Sequence, residues 1–86
     1  MITEQQANAT LAHFQEALMM DQNVQSVSVM TRPALEGGQE WIIEIGVLDP
    51  GASAIASSLP VPLPDGTLSS LRVPVVVVPS DRIEAY

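Results

Sequence analysis

His13 is the one histidine of an 86-residue chain that contains no cysteine, so acid–base or nucleophilic chemistry would have to begin there. A Ser-His-Asp site needs the imidazole bonded on both sides, to a hydroxyl it deprotonates and to a carboxylate that orients it. No GxSxG elbow surrounds any serine, and on a helical wheel His13 turns away from the apolar residues near it. That is the pattern of a solvated helix histidine. Glu40 and Glu44 are the nearest approach to a carboxylate pair. On a strand they share a face but lie about 13 Å apart along it, beyond the separation of a glycosidase pair. Asp21-Gln22-Asn23 and Asp49-Pro50-Gly51 offer hard oxygen ligands without the EF-hand series or its bidentate glutamate. Weak calcium binding stays open at this level; no dedicated metal site is expected. Gly51 to Ala54 can present amides to an anion, but Asp49 already holds that position. Composition excludes disulfides and thiolate metal sites, and no phosphate or dinucleotide fingerprint is present. The expectation is a non-enzyme with no catalytic residue and no cofactor.

Charge narrows the partners. Ten acidic residues face three basic ones, all arginine, for a formal net charge of −7. Phosphate backbones and anionic membranes both call for clustered cations, so neither nucleic acid nor membrane is expected as a partner. A basic protein surface is favoured instead. The hydrophobic fraction of 47% with only 15% charged residues is that of a folding chain, not a disordered one. The length suits one core, hence a single domain over 1–86. No basic-then-apolar leader and no window of membrane-span length are evident, so a soluble, cytoplasmic protein is expected.

The elements follow from periodicity. Thr3 to Gln6 fits a capping box, and Ala7, Leu11, Phe14 and Leu18 then recur on one face, predicting a helix from Glu4 to Met20. Val24 to Thr31 alternates with Val27 and Val29 on one side, and Glu40 to Leu48 alternates with Trp41, Ile43, Ile45 and Val47 on one side. Joined through RPALEGGQ, these read as an antiparallel hairpin. Asp49 with Pro50 predicts a short helix reaching Leu59. Pro60, Pro62 and Pro64 then force extended backbone, and Pro64-Asp65-Gly66 reads as a turn.

Val75 to Val78 is the most hydrophobic run, fenced by Pro74 and Pro79. Branched side chains apolar on both sides indicate a covered strand, about Arg72 to Val78, whose prolines limit pairing and hinder recruitment of other chains. In the tail, Ile83 and Tyr86 are candidate anchors. The predicted fold is therefore α+β, helix-strand-strand-(short helix)-strand, with a three-stranded sheet and the N-terminal helix packed on one face.

Candidate partner contacts are Met19 and Met20 at the helix end, Val61 and Leu63 in the proline segment, and Glu40 and Glu44 on the outer face of the second strand. A Pro60–Pro64 polyproline II stretch can dock in an aromatic groove, or can serve as a rigid connection.

Val27-Ser28-Val29, Trp41 to Val47, Leu59-Pro60, Leu63-Pro64, Gly66 and Pro74-Val75-Val76-Val77 occur in an order that resembles a small non-catalytic α/β module. That module is found beside, or N-terminal to, trypsin-like proteases in bacteria. The resemblance spans about residues 24 to 78 and departs from the pattern at Ser26 and Ser28, where glycines are usual. It implies a bacterial, free-standing accessory or adaptor module and transfers no catalytic residue. The expected function is thus protein–protein interaction, with another protein or with itself as a homodimer through strand edges. The alternative is a specific inhibitor, of immunity or anti-defence type, that covers a basic site.

Overall fold

The computed structural model describes residues 2–80, which form α1 (Glu4–Met19), β1 (Val24–Pro33), β2 (Gln39–Val47), β3 (Ser58–Pro62) and β4 (Leu68–Pro79). The strands lie in the order β1-β2-β4-β3, with β1–β2 and β3–β4 antiparallel and β2–β4 parallel. The helix packs across one face of this mixed sheet. The small α+β domain is as expected; Ile83 and Tyr86 lie outside the described residues.

The start of α1 forms as its sequence dictates. The Gln6 N–H donates to Thr3 Oγ1 at 3.1 Å and the Thr3 N–H to Gln6 Oε1 at 2.9 Å, satisfying two amides that the helix itself leaves unpaired. Ala7 is fully buried, and Leu11 and Leu18 pack against the same core. Thr10 is also fully buried, one turn along from Ala7. Its hydroxyl donates back to the Gln6 carbonyl at 2.8 Å, so the polar atom is satisfied where it lies.

The β1–β2 hairpin turns through 34–38, where Gly37 and Gly38 have φ of 100° and 74°. Side chains of successive strand residues point to opposite faces, which sorts the two sides of the sheet. Ile43, Ile45 and Val47 are fully buried toward α1, with Val29 and Val27 opposite Ile43 and Ile45 in register. On the second face Gly46 lies opposite Ser26, and a Cβ there would stand 2.6 Å from Ser26 Oγ.

Two expectations need correction. Among the described residues the sheet has four strands rather than three, and no helix occupies 49–57. Asp49 does act as a cap-like residue: its Oδ1 accepts from the Gly51 N–H at 3.1 Å, and its carbonyl accepts from the Ala52 N–H at 3.0 Å. A single turn is costly to nucleate, and the serines that follow compete with the helix for hydrogen bonds. Ser53 donates its hydroxyl to Asp21 instead, while Ile55 packs on the shared core. The missed strand, β3, holds Pro60 and Pro62. Both are tolerated because β3 pairs on one side only.

β4 is longer than the expected Arg72–Val78, and Pro74 lies within it. Up to Pro74 the strand pairs with β3; from Val75 to Pro79 it pairs with β2. The Val75 N–H donates to the Ser57 carbonyl at 2.8 Å, so the alternation of the backbone turns the donor that Pro74 lacks toward β2. Pro74 thus ends the β2 ladder while leaving the β3 ladder intact. Val75 and Val77 pack toward the core, whereas Val76 and Val78 lie opposite Glu44 and Gly46 on the second face.

Candidate interaction surface

The residues that raised the question of catalysis are dispersed. His13 is exposed on α1, and its ring and that of Phe14 form a T-shaped pair at a centroid distance of 4.8 Å. Glu40 pairs with Arg32 directly across the hairpin, a half-exposed ion pair that contributes at most about 1 kcal/mol. Glu44 is half-buried on the second face between Ser28 and Val76. Met19 and Met20 are 44% and 79% exposed at the C-terminal end of α1. Leu63 is exposed beside the β3–β4 turn, whereas Val61 is buried in the core and offers no surface.

The two acidic turns do meet, and they spend their oxygens on the chain itself. Asn23 Nδ2 donates to the Asp49 carbonyl at 2.7 Å and to Ser53 Oγ at 3.0 Å, while Asn23 Oδ1 accepts from the Asp49 N–H at 2.7 Å. Asp21 accepts from the Ser53 hydroxyl at 2.6 Å and from the Asn23 N–H at 2.9 Å. The result is a polar clasp joining the α1–β1 turn to the β2–β3 connection. Among the described residues no group of three or more His, Cys, Asp or Glu is placed to hold a metal ion.

The clasp makes stability depend on pH. The Ser53 hydroxyl, and then the Asn23 main-chain N–H, hold the Asp21 carboxyl below its ordinary value of 3.8. Because the folded value is the lower one, the contribution is complete above the unfolded value and is lost as pH falls through the folded one. Ser53→Ala is expected to move the Asp21 titration upward, toward that of an ordinary aspartate, when followed by carboxyl NMR. A titration unmoved by the substitution would show that the hydroxyl does not hold the charge.

The second face of the sheet combines apolar and acidic residues. It carries Met30 and Ile42 in register on β1 and β2, then Glu44 beside Val76, then Gly46 beside Val78. Ile42 is buried, Met30 is 42% exposed and the valines are half-buried. The alternation in EWIIEIGVL places Ile42 with Glu44, and Met30 joins the set through the hairpin register. Where β4 parts from β2, a cleft opens between Trp41 and Pro74. Arg72 at its rim is committed to Ser58, donating from Nε to Oγ at 2.6 Å and from Nη2 to the carbonyl at 3.0 Å.

Together these features define a two-layer α+β protein whose mixed sheet is covered by one helix on one face. No family model matches the chain, and neither a curated protein nor a solved structure matches it at a significant level. Among the described residues no helix is long and apolar enough to cross a membrane.

Proposed function

We propose that the chain is a non-catalytic interaction module that binds another protein through the second face of its sheet. The observation that supports this reading is the mixed character of that face: Met30, Val76 and Val78 supply apolar area, and Glu44 stands among them. Apolar patches rimmed by polar groups are how soluble proteins present contact sites. The resemblance to the protease-associated module motivates an accessory role as part of this proposal. The test is quantitative capture from an extract of the native cell by wild-type protein and by a folded Met30→Lys/Glu44→Arg variant. A protein retained in stoichiometric amount by the wild type and lost from the variant is the expected result. Equal retention by both would remove the face from consideration.

Charge favours a second version, inhibition of a basic partner. Arg32 and Arg72 are held by Glu40 and Ser58, while Glu4, Glu16 and Glu36 are exposed. Such a surface steers cationic proteins toward it. Association with the captured partner should then slow steeply as salt is raised; a rate indifferent to salt would exclude this version.

A further inference from the structure

We propose that the outer edge of β1 pairs antiparallel with β1 of a second copy about a two-fold axis at Ser28, joining two four-stranded sheets into one. This rests on the reading of the chain as an interaction module, and names an edge and an occupant for it.

Among the described residues the sheet order leaves two edges, β1 and β3, and they are unlike. An edge strand exposes main-chain donors and acceptors that invite pairing, and proteins guard such edges with short length, proline or charge. β3 is five residues long and contains Pro60 and Pro62. β1 is ten residues long, and from Val24 to Thr31 it has neither proline nor charge. Its one charged residue, Arg32, is engaged with Glu40 of the same chain.

The groups β1 offers can be identified. The Ala34 N–H donates to the Gly38 carbonyl at 3.1 Å, one step beyond the Pro33–Gln39 pair. Hydrogen-bonded and non-hydrogen-bonded pairs alternate along an antiparallel ladder, so the even residues of β1 bond to β2. Val27, Val29 and Thr31 therefore turn their N–H and C=O groups outward. Pro33 is next in that series and closes it.

The strand is also complementary to itself. Ser26-Val27-Ser28-Val29-Met30 reads almost the same in both directions about Ser28. An axis there sets Val27 against Val29 of the second copy, each exchanging both main-chain bonds, and the arrangement repeats by symmetry. Val27 and Val29 are both half-buried and packed against the core, so the pairing continues the apolar stripe on the helix side. Ser28 meets Ser28, and Ser26 meets Met30, on the second face. No like charges oppose one another. The bulge between Val24 and Ser26, repeated by the axis, limits the match at both ends alike.

The axis makes a specific demand. Residues at a non-hydrogen-bonded antiparallel pair have Cα atoms about 4.5 Å apart, within the reach of a disulfide. The chain has no cysteine of its own, so Ser28→Cys introduces a unique thiol. The experiment combines sedimentation velocity of the wild type, from micromolar to millimolar concentration, with disulfide formation by Ser28→Cys in oxidised glutathione. Glutathione disulfide accepts the two electrons as the two thiols join. Ser70→Cys, an exposed position on β4, is the control. The expected results are a concentration-dependent dimer and crosslinking of Ser28→Cys at least about tenfold faster than the control. A monomer throughout the range, or equal crosslinking of the two variants, would overturn the pairing. The first of these with partner capture still dependent on Met30 and Glu44 would overturn this edge and leave the interaction module standing.

Discussion

Ile45→Ala is expected to lower the unfolding free energy by about 3–5 kcal/mol, the upper part of the range for truncating a buried aliphatic side chain. Ile45 is fully buried and lies between Val27 of β1 and Val77 of β4 in register, beneath α1. Strands on both sides hold its neighbours in place, so the space left by the lost carbons cannot close easily. Domains of this size have total stabilities on the order of 5–10 kcal/mol, and the variant should stand near the edge of folding. Val76→Ala removes a half-buried side chain from the second face and should cost only about 1 kcal/mol. Urea unfolding followed by Trp41 fluorescence reads both, provided the slope with denaturant is unchanged. Equal losses at the two positions would mean that the core does not lie between helix and sheet.

Periodicity revealed those parts of the fold whose signals are local. The capping box, the helix face of Ala7, Leu11 and Leu18, and the two strands of the first hairpin are all written in spacings of a few residues; Phe14, expected on that face, meets His13 instead. Four successive valines form a strand because branched side chains fit a pleated surface, but the expected cover on both faces is not there: Val75 and Val77 pack on the core, and Val76 and Val78 lie on the second face. What escaped was decided at long range. Ser58–Pro62 becomes a strand through its register with β4, where Leu59 lies opposite Val73. Its prolines signal extended backbone without saying whether a neighbour is present. Asp49-Pro50 carries a sound helix-start signal, but Ser53 after it is drawn to Asp21 and Asn23, a turn more than twenty residues away in sequence. Pro74 looked like a strand boundary and is one, but for β2 alone.

The interaction surface was legible in part for the same reason. Glu44 could be placed with Ile42 from one strand, while Met30 joined them only when the hairpin register was known. Val61 looked like a contact in a proline-rich connector and proved to be core, because a strand that alternates beside β4 sends every second side chain inward. Exposure of the β1 edge could not be read from β1 at all. It follows from β4 inserting between β2 and β3, which commits the far side of β2 and leaves β1 outermost.

Asn23→Ala is the second large effect expected, about 2 kcal/mol, from the loss of three hydrogen bonds that each contribute roughly 0.5–1.5 kcal/mol net. Asn23 exchanges bonds with both the N–H and the carbonyl of Asp49 and also donates to Ser53. One side chain therefore fastens the connection between β2 and β3 to the turn after α1. The neighbouring Gln22 is exposed, and Gln22→Ala should stay within about 0.5 kcal/mol of the wild type. Asn23→Asp is a sharper probe than alanine. It preserves the acceptor for the Asp49 N–H, removes both donors, and adds a carboxylate between Asp21 and Asp49. Its destabilisation should therefore be greater at neutral pH than near pH 3, the opposite of the trend set by Asp21 alone. Hydrogen exchange separates a local from a global loss, since a connection that opens by itself would exchange faster at Ala52 to Ser57 while the amides of β2 keep their protection. If Asn23→Ala matched Gln22→Ala in midpoint and in exchange, water would be replacing the clasp at no cost. The connection would then be held by Ile55 on the core alone.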